Sequence, residues 1–584
     1  MNRHSRVLLS ILIVAALVLP YWYWSASPRP SSSDPDRSAA PAARGGSVVT
    51  SMRTDPRSFN RIVQQATSTD IFAFLTQGRL VRVNRATTEL EPWLAEKWTA
   101  SDDGRSYTLT LRDGLSWSDG TPFTSADVLF SFQALYDPRS ASPMASSMKV
   151  GGQPLGVTAP DARTVVVSFP ETFGPGLRMV DALPILPKHK LEAAFNAGTF
   201  AKAWAPDTPP SDLVGLGPFV LTQYQPGERL VFDRNPRYWR RDDRGVQLPY
   251  VDRLTIELLP DQDAELLRLQ SGQSDFMQQP LRAADIETLR PIEAQGKVRV
   301  VELGVSPDAD SFVFNLRPAK WESDPRKAWL PRKEFRQALS HGVDREAFAN
   351  TVFLGAAVPI HGPVTPGNPR WFWPSIPRYE FSRDKARALL EGLGLKNRDA
   401  DEWLEDEKGT EARLAVLTFR GNRVLERSAT VLSDDLRQIG VALDIVPLEP
   451  NAVQQAVVAG DFEAALITLN LTDPDPAMTK DLWLSSGSFH LWNPGQKSPG
   501  TNWERQIDEL MAKQASTLDE GQRKQLFNEI QRIFSENLPM LHFAAPRVFL
   551  GASARLVNLQ PALLRPHILW SADTIAVTQP AQTR

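Results

Sequence analysis

The residue types that most often do chemistry are scattered or missing in this 584-residue chain. Cysteine is absent, which excludes disulfides, thiolate metal sites and a cysteine nucleophile. The histidines show no H-E-x-x-H zinc spacing, and neither a G-x-S-x-G nucleophile elbow nor a Gly-rich phosphate loop occurs. The histidines are His4, His189, His341, His361, His490, His542 and His567. The sequence therefore predicts no enzyme and no cofactor; a hydrolase with paired carboxylates stays the less favoured alternative.

The elements that must position any functional residue are clearest between Leu90 and Asp137. Polar and apolar residues alternate over Ser106–Leu111, the period of a half-buried strand, and Asp103-Gly104 before it favours a tight turn. Thr124 followed three residues later by Asp127 is typical of a helix start, because both side chains can satisfy free backbone N–H groups. The apolar residues that follow at helical spacing are Val128, Leu129, Phe132 and Leu135.

The same alternation of strands and helices continues along the chain. Leu248–Phe276 predicts a strand and then a helix that stops at Gly272, and Leu432–Val446 predicts a helix and then a strand. Thr517 and Glu520 have the spacing of a capping box for a late helix that Pro539 ends. This order predicts an α/β fold with crossover connections.

Length and composition limit the class of protein. A chain of 584 residues is too long for one core and predicts two or three domains. With 42% hydrophobic and 23% charged residues it is ordinary for a globular protein. A net charge of −3 gives no reason to expect nucleic acid as a partner.

The N-terminus predicts export. Residues 1–24 combine Arg3 and Arg6 with the apolar run Val7–Leu19 and the aromatic cluster Tyr21–Trp24, which indicates a signal peptide or a membrane anchor. Residues 25–45 are rich in Ser, Pro and Ala and predict a disordered linker. We expect a periplasmic or extracytoplasmic protein, tethered to the inner membrane by its N-terminal segment.

Several stretches resemble one protein family. The stretch from Leu90 contains L-x-P-W-L-A-E-K-W, D-D-G-R-S-Y-T-L-T-L-R-D-G and W-S-D-G-T-P-F-T-S-A-D-V in close succession. Further similarity lies in Leu216–Trp239, Leu248–Phe276 and Phe335–Val358. Together these stretches are similar to the family 5 extracellular solute-binding proteins, the dipeptide-, oligopeptide- and nickel-binding receptors of ABC importers. The resemblance covers roughly residues 46–550.

The resemblance implies a two-lobed clamp of the type II periplasmic-binding-protein class, with three domains. Gly304–Pro307 and Phe543–Pro546 are then the expected hinges, where the chain crosses between lobes that close on a ligand. The implied division is 46–82 plus 213–302 plus 543–575 for the main part of lobe one, 83–212 for a domain inserted into it, and 303–542 for lobe two.

The resemblance also implies a function. The protein is expected to capture a peptide-like or other polar solute between its lobes and deliver it to the permease of an ABC transporter, acting as a monomer without nucleic acid. A membrane-tethered ligand sensor of the same fold, without transport, is the alternative. No metal is expected, and a nickel-type receptor would have only His361 or His490 as speculative ligands.

One position bears on the ligand. In peptide-binding members, an Asp three residues before an acidic-Pro pair holds the α-ammonium of the peptide. The resemblance places Asn470 there, three residues before Asp473-Pro474. Because an amide offers no compensating charge, the ligand is expected to lack a free α-ammonium, as a blocked or cyclic peptide, a sugar or another polar molecule does. Asp473 or Asp475 in the role of the missing Asp, or a plain turn at these residues, remains open.

The remaining candidate ligand-binding residues follow from the resemblance and, for one tryptophan, from residue type. Arg420 lies near the Arg that pairs with a ligand carboxylate in dipeptide-binding members, with Arg423 as a competitor and a surface role open for both. Leu471 and Thr472 belong to a backbone edge near 467–472 that is expected to pair with extended peptide main chain. Trp492 is the aromatic candidate, although tryptophans are more often core residues.

Overall fold

The computed structural model describes residues 44–469 and 473–578. The predicted targeting segment at 1–24, and nearly all of the predicted linker at 25–45, lie outside these residues. Within the described ranges, every helix is too short or too polar to cross a membrane.

The helices and strands are numbered along the chain. The helices are α1 Thr67–Thr76, α2 Ser125–Tyr136, α3 Lys188–Asn196, α4 Gln262–Gln270, α5 Ala283–Ala294, α6 Pro318–Trp321, α7 Lys333–Gly342, α8 Arg345–Phe353, α9 Arg383–Gly392, α10 Arg423–Arg437, α11 Pro450–Ala459, α12 Lys480–Trp483, α13 Asn502–Ser516 and α14 Glu520–Asn537. The strands are β1 Ser47–Met52, β2 Val81–Val83, β3 Leu90–Pro92, β4 Ala95–Ala100, β5 Ser106–Leu111, β6 Lys149–Val150, β7 Gln153–Pro154, β8 Gly156–Asp161, β9 Thr164–Ser168, β10 Phe219–Gln225, β11 Arg229–Arg234, β12 Arg253–Leu258, β13 Val298–Val305, β14 Ala309–Phe314, β15 Ala357–Pro359, β16 Arg413–Phe419, β17 Ala442–Leu448, β18 Ala464–Leu469, β19 Met540–His542, β20 Ala544–Ser553, β21 Leu556–Val557 and β22 Ala576–Val577.

Two four-stranded sheets form in the first half of the chain. One has the order β1-β12-β11-β10, with β1 parallel to β12 and the other pairs antiparallel. The other, β4-β5-β9-β8, is antiparallel and contacts α2. The predicted helix start is present: the Thr124 hydroxyl accepts from the Ala126 N–H (3.3 Å), and the Asp127 carboxylate accepts from the Thr124 N–H (3.0 Å).

A five-stranded mixed sheet of order β17-β16-β18-β14-β19 forms from later parts of the chain. β16 is parallel to both β17 and β18, whereas β14 is antiparallel to β18 and β19. α10 connects β16 to β17 as the crossover that a parallel pair requires. Because β16 and β18 are parallel, their carboxyl ends meet at the same edge of the sheet, where α10 also begins.

The two expected hinge stretches lie side by side. β13 pairs antiparallel with β20 and has a bulge between Glu302 and Gly304, whose φ of +107° suits glycine. Just beyond this pair, the Ser306 N–H donates to the Pro546 carbonyl (2.8 Å). β14 then enters the five-stranded sheet next to β19, from which the chain returns into β20.

Hydrophobic packing follows this arrangement. One core combines apolar residues between Val48 and Phe276 with the C-terminal stretch from Leu550 to Val577. Two further cores, on β14, β16 and β18 and their helices, draw on residues between Phe312 and Ala544. The predicted domain bounds are compatible with this packing and remain a prediction.

The predicted capping box at Thr517 and Glu520 is wrong. Asp519 caps α14, accepting from the Gln522 N–H (2.7 Å), while the Thr517 hydroxyl donates to the Lys513 carbonyl (2.7 Å) at the end of α13. Asp and Thr are both good caps, and Asp519 is favoured here because Thr517 is already bonded to the preceding helix.

Candidate functional site

A cleft of about 460 Å³ lies beside the crossing strands. One wall comes from the start of α5 and from β20, which the sequence assigned to lobe one. The other wall comes from the end of α8, the start of α10, and the facing residues Asp310 and Thr468 on β14 and β18. The cleft therefore lies where the carboxyl ends of the parallel strands β16 and β18 open, the usual ligand position in sheets of this kind.

The start of α10 is fixed by its cap. The Asn422 side chain accepts from the Val424 and Leu425 N–H groups, both at 3.2 Å, so this side chain is already used by the helix. The first residue of α10, Arg423, is exposed, and Arg427 follows one turn later. Both arginines line the cleft.

Asp310 is the acidic group of the cleft. It is partly buried, and one carboxylate oxygen accepts from the Thr468 hydroxyl (2.6 Å). Burial raises the pKa of Asp310 to about 6, opposed only by this hydrogen bond. Among residues 44–469 and 473–578, Asp310 has no ion-pair partner.

Other arginines along the cleft already have carboxylate partners. Arg282 binds Asp285 (2.7 Å) and also Asp263. Arg547 binds Glu302 (2.8 Å), and Arg565 lies 3.4 Å from Asp308. Within the described part of the chain, Arg423 and Arg427 have no ion pair, so they are the arginines left to bind an anion.

The expected ligand-binding residues Asn470, Leu471 and Thr472 lie outside the described residues. β18 is described as far as Leu469, and its residue Thr468 lines the cleft. The edge expected to pair with peptide main chain thus begins at this cleft, and its role stays a prediction.

Asp473, which is partly buried, and Asp475, which is buried, each form an ion pair. The Asp473 carboxylate accepts two bonds from Arg178 Nε (2.8 and 2.9 Å), and Asp475 is bridged by Arg523 (2.6 and 2.9 Å). Burial raises the pKa of Asp473, and the Arg178 guanidinium opposes that rise. Because each carboxylate already has a cation, neither is placed to hold the ammonium of a ligand.

Neither Arg420 nor Trp492 lines the cleft. Arg420 is exposed, donates to the Pro447 carbonyl (3.1 Å) and lies 3.5 Å from Glu449. Trp492 is fully buried, and its indole N–H donates to Glu504 (3.3 Å). Their ligand-binding role is therefore not part of the site proposed below.

The speculative metal ligands His361 and His490 lie in different environments. His490 is buried and hydrogen-bonded to Glu504 (3.2 Å), whereas burial lowers the pKa of His361 to about 4.

The sequence analysis did not identify Asp310 as a site residue. A signal for it exists, because Asp310 is a charged residue within the otherwise mostly apolar strand A-D-S-F-V-F.

Comparisons with known proteins agree with the predicted class. Residues 89–490 match the model of the bacterial extracellular solute-binding proteins, family 5 middle region. The chain is 26% identical to a probable ABC transporter-binding protein of Deinococcus radiodurans over 88% of its own length and 89% of the relative's. It is also 26% identical to the dipeptide-binding protein of Escherichia coli, over 87% and 91% of the two chains.

A solved structure shows the same fold. The ABC transporter substrate binding protein CtaP of Listeria monocytogenes is 23% identical, with a TM-score of 0.74 over 92% of this chain and all of that one. This likeness confirms the predicted α/β type II periplasmic-binding-protein fold. Since the family model matches more than half of the chain, the protein belongs to the bacterial extracellular solute-binding proteins of family 5.

Proposed function

We propose that the protein captures a peptide-like or other polar solute that has both a hydrogen-bond-donor group and an anionic group. The observation that carries the proposal is that Asp310, Arg423 and Arg427 line the same cleft and that none of them has an ion-pair partner among the described residues. As a family 5 protein, it is the solute-binding component of an ABC transporter and delivers the bound solute to the permease.

The charges of the cleft support the proposal. A partly buried carboxylate without a cation lowers the stability of the folded protein, and a hydrogen-bond donor of the solute would offset that loss. A guanidinium presents a planar fork that fits a carboxylate. A solute with an uncharged hydrogen-bond donor at one end and an anionic group at the other suits this arrangement.

The identity of position 470 refines the solute class. The uncharged Asn470 and the ion-paired Asp473 and Asp475 leave the usual ammonium position of peptide-binding relatives without an available carboxylate. Asp310 then receives the donor group instead. This favours blocked or cyclic peptides and other polar solutes over ordinary peptides with a free amino terminus. The dipeptide-binding relative supports a peptide-like solute in the same fold.

The remaining parts of the proposal rest on the sequence. We expect a monomer. Because the sequence contains no catalytic motif, we expect no enzymatic activity, and a net charge of −3 gives no reason to expect nucleic acid as a partner. The apolar residues 7–19 and the aromatic residues 21–24 tether it to the inner membrane on the extracytoplasmic side.

Native mass spectrometry of the full-length chain, purified gently from a cell that exports it, tests the solute class. A discrete bound mass without a free amino terminus is expected. Masses forming a ladder of peptides with free amino termini would contradict the argument from Asn470. An empty spectrum, together with no binding of added blocked or cyclic peptides, would contradict peptide capture altogether.

Variants test the cleft itself. Asp310→Asn and Arg427→Gln are expected to lose the bound mass, whereas Arg420→Gln, which removes an exposed arginine outside the cleft, is expected to keep it. Binding is also expected to weaken as the pH falls below about 6, since Asp310 then becomes protonated. Equal binding by Asp310→Asn and Arg420→Gln would refute the assignment of the cleft.

A further inference from the structure

A loop outside the cleft brings three carboxylates together. It connects α9 to β16, and backbone bonds between Lys396 and Glu405, both 3.0 Å, close its base. At its tip, Ala400 has a φ of +65°, in the left-handed region. One carboxylate oxygen from each of Asp399, Asp401 and Glu405 lies within 4.8 Å of the others.

Glu405 distinguishes this cluster from an ordinary acidic surface. Asp399 and Asp401 are exposed, but Glu405 is only 6% exposed. Its Oε1 atom is buried and has no hydrogen-bond partner in the described residues. The buried side chain thus directs a carboxylate toward two others, although a buried acceptor without a donor is costly.

The basic residues of this loop form no ion pair with the cluster in the described part of the chain. Within residues 44–469, none of the three carboxylates forms an ion pair, although the nearby Glu402 pairs with Arg437 (2.9 Å). Three carboxylates at this spacing repel one another, and the repulsion is strongest for the member that is buried. A cation between them would remove both the repulsion and the unsatisfied oxygen.

We propose that Asp399, Asp401 and Glu405 bind a calcium ion. Calcium takes oxygen ligands at about 2.3–2.6 Å, so ligands on opposite sides of the ion are about 5 Å apart. The three oxygens of this cluster lie within 4.8 Å of one another, which is compatible with that distance. Magnesium demands a smaller, near-ideal octahedron, and zinc prefers nitrogen or sulfur ligands. The two exposed aspartates leave room for water to complete the coordination of calcium.

The ion would act on the stability of the loop rather than on the solute. The loop packs on the end of α10: Glu402 pairs with Arg437, and the Leu404 N–H donates to the Gly440 carbonyl (2.9 Å). Calcium bound at the tip would hold this contact in place. Extracellular calcium sites are commonly weak, with dissociation constants of about 10⁻⁴–10⁻³ M, which suits an exported protein.

Terbium luminescence on the full-length chain tests binding directly. Trp403 lies between Asp401 and Glu405 in the sequence and is placed to sensitise a Tb³⁺ ion in this loop. We expect sensitised emission that Ca²⁺ displaces more effectively than Mg²⁺. Glu405→Gln should weaken Tb³⁺ binding by at least about tenfold, because one ligand charge is lost. Glu407→Gln, which removes an exposed charge from the same loop but outside the cluster, should not.

Thermal denaturation gives a second readout. With a chelator present, Glu405→Gln should unfold at the same temperature as the unchanged chain or higher, because it relieves the repulsion. Added CaCl2 should raise the unfolding temperature of the unchanged chain and of Glu407→Gln, but not of Glu405→Gln. Equal responses of the two variants, equal competition by Mg²⁺, or no response to Ca²⁺ would each overturn the proposal.

Discussion

Replacing Asp310 with Asn should stabilise the protein at neutral pH. The acid is partly buried, has no cation among the described residues, and has a pKa raised from 3.8 to about 6. An acid that is harder to ionise in the folded than in the unfolded protein lowers the free energy of unfolding whenever it is charged. Asparagine keeps an oxygen that can accept the Thr468 hydroxyl but carries no charge.

The magnitude follows from the pKa. A pKa raised by about two corresponds to at most about 3 kcal/mol, since each unit is worth about 1.4 kcal/mol. Solvent reaches part of the side chain, so we expect a gain of about 1–3 kcal/mol. Below pH 3.8 the acid is protonated in both states and costs nothing. The free energy of unfolding that ionised Asp310 takes away grows between pH 4 and pH 6 and is constant above pH 6. The extra stability of Asp310→Asn should therefore rise over the same range and then level off.

Thermal or urea denaturation from pH 4 to pH 8 measures this difference. The comparison isolates one residue because other titrating groups are the same in both chains. Asp384→Asn, which changes a fully exposed acid on α9, serves as the control and should show no such trend. A variant at position 310 that is no more stable at pH 7.5, or whose advantage persists unchanged at pH 4, would refute the electrostatic account of the cleft.

Five further substitutions, in three experiments, test an ion pair, a helix cap and a close backbone contact. Arg178→Ala should cost about 3–5 kcal/mol by leaving Asp473 buried without its cation, and Asp473→Asn in the same chain should recover much of that loss in a double-mutant cycle. Asp519→Ala should cost about 1 kcal/mol in urea denaturation and Thr517→Ala less, and the reverse order would restore the predicted capping box. Gly215→Ala should cost about 3 kcal/mol or more, because its Cβ would lie 1.8 Å from a backbone carbonyl of α1; unchanged stability would contradict that contact.

Local patterns predicted much of the fold. The alternation over 106–111 and the cap at Thr124 depend on neighbouring residues only, and the structure has the strand and the helix where the sequence predicts them. The cap at Thr517 failed because two good capping residues stand close together, and the choice depends on where the preceding helix ends. The overall fold class followed from resemblance rather than from local pattern.

The candidate site was harder to predict from the sequence. Asp310 faces Thr468, a residue 158 positions away, and its lack of a cation depends on every side chain around it. In the same way, Asp473 looks available in the sequence, but its partner Arg178 is 295 positions away. Tryptophan is a residue type found both in ligand-binding pockets and in cores, so the sequence does not distinguish the two roles. In the structure, Trp492 is fully buried like a core residue. Such properties follow from tertiary contacts.

The paired crossing of β13–β14 and β19–β20 would limit the predicted hinge motion. Two strands joined by the hydrogen bond between Ser306 and Pro546 would resist twisting more than a single connecting strand, so we expect the hinge to bend about one axis. Asp310 lies four residues beyond this joint. A solute bound there would lie close to the expected bending axis. A small displacement beside Asp310 would then become a larger displacement of residues that lie farther from the axis.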